Sequence, residues 1–104
     1  MIDAFFARQE GSSPMRIWGK IWKDNHMLKD VTITDDAEDT RTHKILRALE
    51  EICAGWDLSV PVWLASNIRD FKRTKKVRFT QDNFVNDEIP FDYLEMQVLE
   101  EDNV

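Results

Sequence analysis

The chain has 104 residues, 42% of them hydrophobic and 33% charged, with a formal net charge of −6. This is the length of one domain with an ordinary globular balance, and the acidic excess argues against a protein built mainly to hold nucleic acid. A lone cysteine, Cys53, excludes an internal disulfide and a cysteine-based zinc site, and no apolar run approaches the roughly 20 residues of a membrane span, so a cytoplasmic protein without membrane association is expected.

Residues 1–14 read as a flexible N-terminal extension to a single α+β domain at 15–104. Gly11-Ser12-Ser13-Pro14 is a short linker, and Met1–Ala7 is too short and too interrupted by Asp3 for a signal sequence. Ile2, Phe5 and Phe6 share one helical face, so the extension could also act as a docking arm. From Met15 to Lys23 the chain alternates. Met15, Ile17, Gly19 and Ile21 fall on one face; Arg16, Trp18, Lys20 and Trp22 fall on the other. Asp24-Asn25-His26 is a turn cluster, and Val31 and Ile33 alternate with polar residues, so this region predicts a β-hairpin.

The acids Asp35, Asp36, Glu38 and Asp39 precede a helix expected from about Asp39 to Ala54. Its apolar stripe is Ile45, Leu46, Leu49, Ile52, Cys53 and Trp56, and Gly55 suits a left-handed cap. Leu58–Leu64 predicts a short strand, limited to an edge or a strand start by Pro61. Ser66–Phe71 fits one helical turn. Lys76–Thr80 alternates again, and Tyr93–Leu99 predicts the last strand with Leu94, Met96 and Val98 inward and Glu95 and Gln97 outward.

The expected fold is therefore an antiparallel or mixed sheet of three to five strands carrying one main helix, in hairpin–helix–strand–strand order. That order, from Met15 to Glu100, resembles the β-grasp architecture of ubiquitin-like proteins, which implies central pairing of the first and last strands. No sequence motif accompanies the resemblance, and architecture alone carries no function.

No catalytic, metal or cofactor constellation emerges. The acidic cluster lacks the glycine and bidentate glutamate of a calcium loop, since those positions are Thr40 and Leu46, and it reads as a helix cap. His43 lies one turn after Asp39, but two ligands do not make a zinc site. Cys53 sits on the apolar stripe and should be an inert thiol. Gly11, Gly19 and Gly55 form no phosphate-cradling loop, and no pair of carboxylates is singled out by spacing for acid–base work. A non-enzymatic protein without cofactor is expected.

Two surfaces remain. Trp18 and Trp22, flanked by Arg16 and Lys20, form an aromatic strand face of the composition enriched at protein interfaces. Either a protein partner or a second copy uses it, or the N-terminal arm or the segment around Trp63 covers it. The second surface is basic: Arg69, Lys72, Arg73, Lys75, Lys76 and Arg78 fall within ten residues against one acid, Asp70. Between Phe79 and Val104 there are eight acids and no Lys or Arg. The cations either complement that acidic third or an acidic protein partner, or they hold a nucleic acid with Phe71 and Phe79 nearby. The expectation is a protein-interaction or regulatory module, with a nucleic-acid-binding accessory protein as alternative and an enzyme with an unrecognised carboxylate site third.

Overall fold

The computed structural model describes residues 15–100, with the side chain of Glu100 left aside. The expected 1–14 extension lies outside the described residues. The elements are β1 (Met15–Lys23), β2 (His26–Asp35), α1 (Arg41–Gly55), α2 (Ala65–Thr74), β3 (Lys76–Phe79) and β4 (Tyr93–Glu100). They build an α+β fold: a four-stranded sheet of order β2-β1-β4-β3, antiparallel throughout, with two helices.

β1 and β2 form the expected hairpin. Asp24 and Asn25 both have positive φ, 53° and 65°, which matches the twist that a two-residue turn needs between antiparallel strands. The pairing runs from Lys23↔His26 to Met15↔Asp35 and slips once, between Ile21 and Trp22, where Leu28 is the extra residue. β1 then pairs with β4 on its other side, antiparallel, so these two strands lie at the centre of the described sheet.

One face of the sheet makes the core. Met15, Ile17 and Ile21 from β1, Val77 and Phe79 from β3, and Leu94, Met96 and Val98 from β4 are all buried there. α1 lays Ile45, Ala48, Leu49, Ile52 and Cys53 onto them, at the three- and four-residue spacing of one helical stripe. Leu46, expected on that stripe, is displaced from it and is 43% exposed. The helix comes so close to β1 that a Cβ on Gly19 would stand 2.8 Å from Ile52 Cδ1. The core thus depends on a residue without a side chain at the crossing point.

The ends of α1 differ from expectation. Thr40 is the N-cap, its hydroxyl accepting from His43 N at 3.2 Å, and no acid lies in the first turn. Asp35 and Asp39 instead stand outside the helix and hold Arg47 by ion pairs of 2.7 and 3.0 Å. Gly55 is the last helical residue. The left-handed position is Asp57 (φ 58°), and Leu58 N donates to Cys53 O at 2.8 Å, closing the helix in a Schellman-type pattern.

Leu58–Leu64 is not a strand. Pro61 has no N–H to give a ladder, and the groups around it are satisfied by Asn83 and Asp87. Ser59 donates through N and Oγ to Asp87, and Asn83 Nδ2 donates to Val62 O at 2.8 Å while Val62 N donates to Asn83 O at 2.9 Å. In chain order the place of that strand is taken by a second helix. α2 is three turns rather than one, with Asn67 Oδ1 accepting from Leu64 N at its start and Lys75 (φ 62°) ending it. Asn67 and Asn83 are buried and bonded to each other at 2.7 Å, and Asn67 also donates to Arg78 O. This amide pair ties the irregular segment, α2, β3 and the acidic loop together.

Gly19→Ala is expected to destabilise the domain by about 1–3 kcal/mol through overpacking against Ile52. Ile52→Val removes the nearest atom and should recover part of that loss in the double variant. Urea unfolding of the four proteins gives the coupling directly.

Candidate functional site

Both helices pack into the core cluster, so the opposite face of the sheet carries no element among the described residues. The alternation of β1 places Arg16, Trp18, Lys20 and Trp22 on this open face, as expected. Register then adds residues from the other strands. Lys20 stands opposite Asp30 on β2 and Glu95 on β4, and Glu95 stands opposite Arg78 on β3. One row across the sheet therefore reads Asp30–Lys20–Glu95–Arg78, alternating in sign at every strand. The row beside it reads Thr32–Trp18–Gln97–Lys76.

Glu95 points away from the helices, yet it is 2% exposed, and Lys20 is 5% exposed. Their neighbours bury them. Glu95 Oε1 accepts from Lys20 Nζ and from Trp22 Nε1, both at 3.1 Å, and Oε2 accepts from Arg78 Nε at 3.1 Å. Lys20 Nζ also donates to Gln97 Oε1 at 2.9 Å and lies 3.9 Å from the Trp18 ring centroid, so its three protons all have acceptors. Trp18 Nε1 donates to Asp30 at 2.8 Å. Tyr93 completes the group, stacked on Trp22 with ring centroids 6.4 Å apart and covered by the Arg78 guanidinium at 4.7 Å. Burial works against the charged form of Glu95, but hydrogen bonds from Lys20 and Arg78 outweigh it and hold the carboxyl below its ordinary value.

Trp18 and Trp22 are half-buried, each indole fixed by a hydrogen bond to a carboxylate. Trp63 does not cover them: its ring packs edge-on against Phe71 and Phe79 on the helix side, with ring centroids 5.6 and 5.0 Å apart. The other proposed cover, the arm at 1–14, lies outside the described residues.

The basic segment is divided among three elements. Arg69, Lys72 and Arg73 are on α2, Lys75 is the left-handed residue, and Lys76 and Arg78 are on β3. The fold brings Arg73, Lys76 and Arg78 together around a groove of about 380 Å³, with Asp70 and Thr74, and leaves Arg69, Lys72 and Lys75 outside it. The predicted complementarity with the acidic third reduces, among the described residues, to one ion pair, Arg78–Glu95. Asp87 instead holds Ser59, and Asp92 accepts from Asp24 N at 2.8 Å.

Other candidate groups are engaged in structure. His43 Nδ1 lies 2.9 Å from Asp39, whose carboxyl is held well below the usual range by His43, Arg47 and Thr40. Burial pushes the Cys53 thiol up to about 11. No group of three or more potential metal ligands occurs among the described residues, and none of their helices is long and apolar enough to cross a membrane.

Glu95, Gln97, Asp30 and Tyr93 are residues of the open-face network that sequence reasoning did not single out. The signal was the parity of β4, which put Glu95 and Gln97 outward; what it lacked was the register against β1.

Glu95→Ala is expected to cost about 3–5 kcal/mol, since it strands a buried ammonium, whereas Lys20→Met/Glu95→Leu should cost far less. Because the Glu95 carboxyl is depressed, its contribution is fully present above the unfolded value of about 4.3 and is lost as pH falls through the folded one. Urea unfolding from pH 7 to pH 3 should therefore show a shallower acid decline in Glu95→Gln than in the parent chain. No family model, curated protein or solved structure matches the chain.

Proposed function

We propose that the chain is a small non-enzymatic interaction module of the cytoplasm that holds a protein partner, or a second copy of itself, on the open face of its sheet. The observation that carries this reading is the one-sided placement of both helices, combined with two indoles fixed on the other side before any partner arrives. Rigid aromatic anchors give contact area at small entropic cost, which is why they dominate interface energetics. Lys20 is buried, so in this reading it positions Trp18 and Trp22, while Arg16, Trp18 and Trp22 meet the partner.

The charges of this face support binding rather than catalysis. An acid–base catalyst needs a group poised near the working pH, and Glu95 is driven the other way by its donors. The β-grasp likeness enters as architecture alone.

A nucleic-acid reading is favoured by one observation, the convergence of Arg73, Lys76 and Arg78 on a groove. It is opposed by the aromatic faces, since Lys20 lies over the Trp18 ring and Arg78 over Tyr93, where a base would stack. Oligonucleotide binding with a salt slope of about −4 to −5, the signature of ~4–6 neutralised phosphates, would replace the protein-interaction reading.

The test is a photo-crosslinking residue at Thr32, exposed on the open face, compared with one at Glu50, exposed on α1. In the native host a discrete adduct is expected from position 32 and none from position 50. Its mass separates a homodimer from a foreign partner, and adducts from position 50 alone would sink the reading.

A further inference from the structure

We propose that the groove between the C-terminal end of α2 and β3 receives an anionic segment of a polypeptide partner, whose carboxylate or phosphate oxygens bind Arg73, Lys76 and Arg78. This rests on the protein-interaction reading and adds the chemistry of the partner.

The groove is built from a turn that sets the spacing of its cations. Lys75 adopts a left-handed backbone and donates to Phe71 O at 2.8 Å, which ends α2 and starts β3 one residue later. Thr74 Oγ1 locks the corner, 2.9 Å from Asp70 O and 3.2 Å from Lys76 O, while accepting from Lys76 N at 3.3 Å. Arg73 at the helix end and Lys76 and Arg78 on the strand are thereby held around one space of about 380 Å³.

Arg78 is oriented in advance. Its Nε donates to Glu95 and its guanidinium carbon lies 4.7 Å from the Tyr93 ring centroid, so the side chain is already fixed at the groove. Arg73 meets Asp70 only at 3.5 Å, with both side chains more than half exposed, a pair that a stronger anion displaces at little cost. Lys76 has no acidic partner among the described residues. Three cations thus face a space whose only acidic lining residue, among the described residues, is Asp70.

The dimensions select the class of ligand. The cluster is local, three cations around a groove of about 380 Å³ rather than a track of them, and so matches a short anionic stretch. The net charge of −6 opposes a long polyanion, whereas a short anionic stretch of a protein feels mainly the local cations. Arg78 belongs to the groove and to the open sheet face at once, so one partner can place an anchor on Trp22 and an anionic group beside Arg78.

The experiment is a fluorescence-polarisation titration of the full chain with four labelled probes: octaglutamate, a Gly-Ser octapeptide carrying one phosphoserine, the same peptide unmodified, and octathymidylate. Saturable binding of at least one anionic peptide is expected, with none of the unmodified peptide. Arg73→Ala/Lys76→Ala, two surface changes, should weaken it at least about tenfold. The tighter of the two anionic peptides identifies carboxylate or phosphate as the preferred group. Absence of saturable binding by both, equal binding by the double variant, or tighter binding of octathymidylate would overturn the proposal. Groove binding together with a failed Thr32 crosslink supports the groove and sinks only the sheet-face reading.

Discussion

Lys20 and Glu95 face each other across the two central strands, on the side of the sheet that no helix among the described residues covers, and much else in the structure follows from keeping them there. Two charges out of water are costly unless each oxygen and each proton finds a partner. Here they do: Trp22 and Arg78 complete the carboxylate, and Gln97 and the Trp18 ring complete the ammonium. The pair also guards register. A slip of one residue between β1 and β4 would turn Lys20 toward the core and Ile21 or Gly19 toward Glu95, so the apolar pattern and the polar network exclude the same error.

That network holds the side chains of the open face in place without a covering element among the described residues. Its aromatic rings are held by hydrogen bonds to carboxylates on neighbouring strands and by cations on their faces, not by a second layer. The result is a surface with large side chains already in place. It differs from a stacking platform, in which ring faces stay open to a ligand, and the partner proposed for it would meet ring edges, aliphatic stems and fixed charges.

On the other side, the close crossing of α1 over Gly19 and the amide pair Asn67–Asn83 decide how the rest of the chain is arranged. The amides draw the irregular segment around Pro61 and the acidic loop toward α2 and β3, and in that loop Asp87 holds Ser59 while Asp92 accepts from Asp24 N. The cations of the basic segment divide between a helix and an edge strand, and the subset at the corner forms a groove.

Alternation and helical periodicity determined a good deal by themselves: the hairpin and its turn, the main helix, the inward faces of β1 and β4, and the pairing of Arg16, Trp18, Lys20 and Trp22 on one side. These are properties of side-chain spacing along a regular backbone, which short-range sequence carries. The strand expected at Leu58–Leu64 was misread because its apolar composition says nothing about where its backbone hydrogen bonds go, and they go to Asn83 and Asp87, more than twenty residues away. Leu46 was misplaced for a related reason, since the stripe's width is set by the sheet beneath it. Tertiary structure alone decided the partners of Glu95, the split of the basic segment and the groove at Arg73, Lys76 and Arg78. Each depends on strand register and on which strand lies at the edge, quantities fixed by contacts between residues far apart in the chain.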